Sequence, residues 1–64
     1  MFDEYHPNLG YDYDDIGDIY FYENNFTEAK KYYNKSKLIF LSNYGIEFDH
    51  IKLLDEKIAL TNSN

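Results

Sequence analysis

From Pro7 to Tyr22 the apolar positions Leu9, Tyr13, Ile16 and Tyr20 step by four, three and four, which is the repeat of one helix face. The spacing predicts a helix over about 8–22. Pro7 suits its first turn, where a backbone N–H would find no intrahelical acceptor anyway. Polar Glu23-Asn24-Asn25 interrupts the pattern, and Phe26, Ala29, Tyr33, Ser36 or Lys37, and Phe40 then resume it as a second helix over about 26–42. Asn25 is placed to cap that helix by accepting from the N–H of Thr27 or Glu28, with Glu28 at the capping-box position and spaced to pair with Lys31. Ser42-Asn43-Tyr44-Gly45 reads as the stop, Gly45 being free to adopt the positive φ that ends many helices. Ile51, Leu54 and Ile58, with Leu53 and Leu60 beside that row, predict a third helix over about 49–60, followed by a polar tail, Thr61-Asn62-Ser63-Asn64, expected to fray. Three glycines, one proline and no Asn-Gly or Asp-Gly turn argue against a chain of hairpins. The fold class expected over 1–64 is all-α, an antiparallel helical hairpin plus a third helix.

Composition narrows this further. Sixty-four residues support one small domain, and the absence of cysteine removes disulfides and thiolate zinc sites as a source of stability. Twelve Asp and Glu against six Lys leave a net charge of −6, which repels a phosphate backbone and speaks against nucleic acid as a partner. The aromatic fraction of 20% separates the chain from disordered acidic tails. No run of eighteen apolar residues is present, and Met1-Phe2-Asp3-Glu4-Tyr5-His6 lacks the basic start and apolar stretch of a leader, so a cytoplasmic protein without a membrane partner is expected.

Asp12 to Glu23 invites comparison with a calcium loop, since Asp12, Asp14, Gly17, Ile19 and Glu23 fall in the register of D-x-[DN]-x-[DN]-G-x5-E. Ile16 stands where an oxygen ligand is required, nothing polar occupies position 20, and Pro7, Gly10 and Asn24-Asn25 crowd the flanks where two helices should run. Helix is the competing reading for the segment, its carboxylates on a solvated side. Asp14 and Asp18, one turn apart, could act as an acid–base pair only inside a cleft. His6 and His50 fit loop positions better than metal or general-base roles. No nucleophile is paired with a base at a recognisable spacing and no glycine loop cradles phosphate. Neither enzyme chemistry nor a metal or cofactor is expected.

Tyr13, Ile16-Gly17, Tyr20, Asn24-Asn25-Phe26-Thr27-Glu28-Ala29, Tyr33 and Ser36 together resemble a tetratricopeptide repeat. His6-Pro7 and, 44 residues on, His50 are similar to the linkers of the longer, kinesin-light-chain-like repeats, with Leu9 falling on Leu53 and Ile16 on Leu60. The second copy departs from the pattern, with Ile51 in place of the proline and Thr61 in place of Gly17. The resemblance implies that Tyr13, Ile16, Gly17, Tyr20, Phe26, Ala29, Tyr33 and Ser36 pack the hairpin. It also implies that Tyr11, Asp14, Asp18 and Phe21 line a concave surface binding a protein or peptide. Two carboxylates between two aromatics there suit a basic, partly apolar ligand, and would repel the C-terminal carboxylate held by chaperone-type repeats. The first 29 residues hold eight acidic and no basic side chains while residues 30–37 hold four Lys, so the two hairpin helices carry opposite charge. One and a half repeats leave apolar edges, with Tyr32, Phe40, Leu53 and Leu54 expected to stay partly exposed. The chain is therefore expected to be a piece of a longer array or to pack on neighbouring repeats or on a copy of itself. A calcium-binding segment at 12–23, or a packing remnant of a repeat array that binds nothing, are the alternatives.

Overall fold

The computed structural model describes residues 6–62. The first five residues, read above for a leader, and Ser63-Asn64 of the tail lie outside them. Three helices follow one another: α1 (Pro7–Tyr22), α2 (Phe26–Tyr44) and α3 (Asp49–Thr61), with no strand among the described residues. The fold is all-α. Pro7 occupies the first turn of α1, and the His6 side chain caps it by accepting from the N–H of Asn8. Asn25 caps α2, its side-chain oxygen accepting from Glu28 at 3.5 Å. Asn24 makes the turn between the two helices at φ 63°, a region Asn tolerates better than other non-glycine residues. Gly45 ends α2 at φ 84°, its N–H returning to the Leu41 carbonyl.

The contacts fix the topology. Gly10 meets Phe40, Gly17 meets Tyr33 and Ala29, and Phe21 meets Phe26, so α1 and α2 run antiparallel. Phe40 touches His50, Lys37 pairs with Asp55 and Lys30 bonds Asn62, so α3 runs antiparallel to α2 and hence parallel to α1. Two glycines set how closely the hairpin closes. A Cβ at Gly10 would stand 2.7 Å from the Phe40 ring, and one at Gly17 would stand 2.7 Å from the Tyr33 ring and 3.3 Å from the Ala29 carbonyl oxygen. Ser36, fully buried, donates to the Gly10 carbonyl across the same seam. On its outer edge Tyr32 stacks on Tyr20 and leans on Tyr13, while the Lys35 ammonium sits over the Tyr13 and Tyr32 rings.

Several expectations are corrected here. Phe40 and Leu54 are fully buried instead of lying at an exposed edge, because Gly10 admits the Phe40 ring and α3 closes over it with Phe48 and His50, while Leu54 joins the same core. Leu53 does stay half exposed and Tyr32 intermediate. Gly10 is no interruption but a helix residue against Phe40. Thr61 is helical and buried, its hydroxyl donating to the Ile58 carbonyl, and is no part of a frayed tail. Segment 12–23 is continuous helix through Tyr22 and capped at Glu23, as the spacing predicts, which leaves no loop for the calcium-binding alternative. Gly10, Asp14 and Gly17 are the buried residues of α1, and Ile51, Leu54 and Thr61 those of α3. Among the described residues no helix is long and apolar enough to cross a membrane.

Candidate functional site

Two parallel helices lying side by side on a third create a seam, and the polar residues of α1 and α3 meet there. Asp14 projects from α1 toward α3 and is only 5% exposed. One carboxylate oxygen lies 2.6 Å from Nε2 of His50 and the other 2.8 Å from Nζ of Lys57. Lys57 also reaches Asp18 at 3.2 Å and sits over the Tyr33 ring. Tyr33, from α2 beneath, donates its hydroxyl to Asp18 at 2.6 Å. Side chains from all three helices therefore close one network, and the described residues leave no buried side-chain polar atom without a partner. A buried carboxylate is tolerated only when its lone pairs are met this way.

The network shifts two proton equilibria. Burial pulls the Lys57 ammonium downward, but its hydrogen bonds to Asp14 and Asp18 and the charges of both carboxylates outweigh that, and its pKa is raised above the ordinary lysine value. Burial, then the hydrogen bond to Asp18, then the charges of Asp18 and Asp14 push the Tyr33 hydroxyl well above the ordinary tyrosine value. Near neutral pH Lys57 is a cation and Tyr33 a neutral donor, the forms the network requires.

Beyond Asp18 along the seam, toward the C-terminal ends of α1 and α3, a cleft of about 160 Å³ opens. Asp18, Tyr33 and Lys57 line it together with Phe21, Tyr22 and Leu60. Tyr22 is 83% exposed and Leu60 54%, so both cleft walls present apolar surface to solvent. At the opposite end of the seam the exposed Tyr11 ring stands edge-on to Phe40 and His50.

The residues expected to line a binding surface thus divide. Asp18 and Phe21 line the cleft, while Tyr11 lies at the far end of the seam. Asp14 is turned inward, both its oxygens taken by α3, so the carboxylate is withdrawn from anything approaching the surface. Its burial follows from a position one turn after Gly10 and three residues before Gly17, on the flank of the face that α1 presses on α2. Of the packing residues, Gly17, Ala29, Tyr33 and Ser36 are buried at the α1–α2 seam; Tyr13, Ile16, Tyr20 and Phe26 are intermediate. The expected attraction between the hairpin helices is not how the lysines are used: the ion pairs of the described residues join α3 to α1 or to α2, and none joins α1 to α2. His50 is a helix residue bonded to Asp14, not a loop residue. Sequence reasoning missed Lys57, Tyr22 and Leu60. One signal was available, since His50 and Lys57 lie seven residues apart on one face of α3 and could meet an acidic stripe on a parallel neighbour.

Among the described residues no group of three or more His, Asp or Glu is arranged to hold a metal ion. No protein-family model matches the sequence, and neither the curated proteins nor the solved structures yield a significant match to it.

Proposed function

We propose that the chain is a protein-interaction module of tetratricopeptide type that holds a peptide or partner helix along the seam between α1 and α3. The observation that carries the reading is the cleft, whose polar floor is internally paired and whose walls, Phe21, Tyr22 and Leu60, expose apolar surface. Exposed apolar residues around a concavity, rimmed by polar ones, are the usual mark of a docking site. The favoured ligand is basic and partly apolar. On the helices that wall the cleft, Asp15 of α1, Glu23 at its C-cap and Glu56 of α3 are exposed and make no ion pair among the described residues, whereas Lys57 is committed to Asp14 and Asp18. This is a binding reading and not a catalytic one, because the two carboxylates close enough to cooperate are engaged by Lys57, His50 and Tyr33. Cytoplasmic residence belongs to the same proposal.

A displayed random-peptide library selected against the intact chain tests it. Enriched peptides should carry Lys or Arg around an apolar residue and should lose binding to Tyr22→Ser and Leu60→Ser variants. Both side chains are exposed enough for the variants to keep the fold. A selection that enriches nothing, or peptides indifferent to both substitutions, would refute the cleft as the docking site.

A further inference from the structure

The outer face of α2 carries the chemistry that the cleft calls for. Leu38 is 54% exposed there, although it belongs to a helix whose other apolar residues are buried or half-buried apart from Tyr44 near its end. Lys31 lies seven residues before it and Lys35 three residues before it, both exposed and on the same side of the helix. Lys31 makes no ion pair among the described residues, and Lys35 rests over tyrosine rings without a carboxylate partner. An apolar anchor preceded by two cations is thus displayed on the outer side of α2, away from the buried core, with Lys35 leaning toward Tyr13 of α1.

The two helices that wall the cleft repeat that arrangement with the sign reversed. Asp15 precedes Tyr22 by seven residues on α1, as Lys31 precedes Leu38 on α2, and each interval spans about 10 Å of helix at 1.5 Å per residue. Glu56 precedes Leu60 by four on α3, close to the single turn between Lys35 and Leu38. Because α1 and α3 are parallel, one helix laid along their seam in the same direction satisfies both matches together. Leu38 then enters between Tyr22 and Leu60, Lys31 approaches Asp15, and Lys35 approaches Glu56. The volume agrees: an apolar cavity of about 150 Å³ accepts a benzene-sized group, and the cleft of about 160 Å³ accepts one leucine side chain.

Resting on the interaction-module reading, we infer that the occupant of the cleft is the α2 outer face of a second copy of this chain, which makes the association head-to-tail. Such an interface is heterologous: a pair of copies leaves one cleft unused on one member and one α2 face unused on the other, so association continues with concentration instead of stopping at a symmetric dimer. The net charge of −6 per copy opposes this at long range, so the local Lys-to-carboxylate contacts and the buried leucine must supply the attraction.

Sedimentation velocity over a concentration series tests the inference, with circular dichroism on the same samples to confirm unchanged helicity. The wild-type chain should grow beyond a dimer as concentration rises. Leu38→Ser and Leu60→Ser should each weaken self-association roughly tenfold or more, the loss expected when one leucine is no longer buried. Mixing the two variants should restore a species, now limited to a 1:1 dimer, because one variant retains the cleft and the other the anchor. A monomer at every concentration, self-association indifferent to both substitutions, or a mixture that stays monomeric would each overturn the inference. If the chain stays monomeric yet library peptides still need Tyr22 and Leu60, the second copy is eliminated as occupant and the interaction-module reading stands. If neither occurs, both fall.

Discussion

The two seams of this molecule are held by different physics. Between α1 and α2 the contact is made by removal of side chains: Gly10 and Gly17 let the Phe40 and Tyr33 rings lie against the α1 backbone, and Ser36 bonds a main-chain carbonyl across the gap. Around α3 the contact is made by addition of side chains, with Ile51 and Leu54 on the α2 side and His50 and Lys57 reaching Asp14 and Asp18 on the α1 side. The first seam is intolerant of added volume and holds no ion pair among the described residues. The second tolerates changes of volume at its rim and depends on charge being matched. A chain this small, whose Cα atoms occupy a slab only 12 Å thick, has little interior beyond these seams, so each substitution should report on one of them.

Phe40 belongs to both, touching Gly10 and Tyr11 on one side and Phe48 and His50 on the other. Phe40→Ala should therefore have the largest effect, about 3–5 kcal/mol from lost burial and the cavity left behind. A domain of this length has about 3–10 kcal/mol in total, and thermal melting followed by circular dichroism should show the variant largely unfolded at 25 °C. A cooperative melt within a few degrees of wild type would mean that neither seam depends on that ring.

Asp14→Asn separates the seams. The amide keeps one acceptor but gives up the charge that holds His50 and Lys57, and because both partners are partly exposed the cost should be about 2 kcal/mol, below the figure for a fully buried pair. Hydrogen exchange should show the amides of α3 opening before those of α1 and α2. In a double-mutant cycle with Lys57→Met the two losses should overlap instead of adding. Strict additivity would mean that the short contacts between them carry no coupling.

Gly17→Ala probes the other seam. Alanine gains about 1 kcal/mol over glycine from helix propensity, but its Cβ would meet the Tyr33 ring at 2.7 Å, and overpacking of that kind costs about 1–3 kcal/mol. Tyr33 is fixed by its bond to Asp18 and cannot swing aside freely. The net effect should be destabilisation by about 1 kcal/mol, read as a lowered Tm. A raised Tm would show that the ring yields and that the hairpin is less tightly closed than the contact implies.

Legibility in the sequence divides along the same line. The hairpin could be read because its determinants are local and periodic: the four-three-four spacing of Leu9, Tyr13, Ile16 and Tyr20, the cap at Asn25, and small Gly17 set against Ala29 and Tyr33. The ends of α1 fall close to the spacing-based expectation, whereas α2 continues to Tyr44 because only Gly45 has the positive φ that stops it. The site could not be read in the same way. Asp14 looked like a solvated carboxylate because its partners are 36 and 43 residues away, on a helix whose lateral position no local pattern fixes. Phe40 and Gly10 escape local reading for a related reason, since Gly10 makes room for a ring 30 residues on and α3 covers that ring with Phe48 and His50. Tyr22 and Leu60 are ordinary apolar residues in sequence and become cleft walls only once α1 and α3 lie parallel.

Alkaline titration should act on the seam network. The pKa values of Tyr33 and Lys57 are both raised in the folded chain, so the unfolded chain releases these protons first and stability falls as pH rises above about 10. Below that pH the contribution is fully present. Each such group can add a slope of up to about 1.4 kcal/mol per pH unit. Tyr33→Phe should remove one of the two slopes, so denaturant midpoints measured between pH 9 and 11 should fall less steeply in the variant than in wild type. Parallel curves would place the alkaline sensitivity outside the network.

The smallest effect is expected where charge pairs without burial. Lys37 and Asp55 meet at 2.6 Å, as short a contact as any in the Asp14 network, yet the aspartate is more than half exposed. Water screens such a pair, and holding two mobile side chains together offsets much of the attraction, so exposed pairs contribute about 0.2–1 kcal/mol at most. Lys37→Ala should lower stability by under about 0.5 kcal/mol and its effect should vanish in 1 M salt, whereas the loss in Asp14→Asn should persist there because burial shields that network from the Debye screening of the solvent. Equal salt sensitivity in the two variants would mean that distance rather than burial sets the strength of these contacts. The distinction drawn between the α3 clasp and an ordinary surface ion pair would then fail.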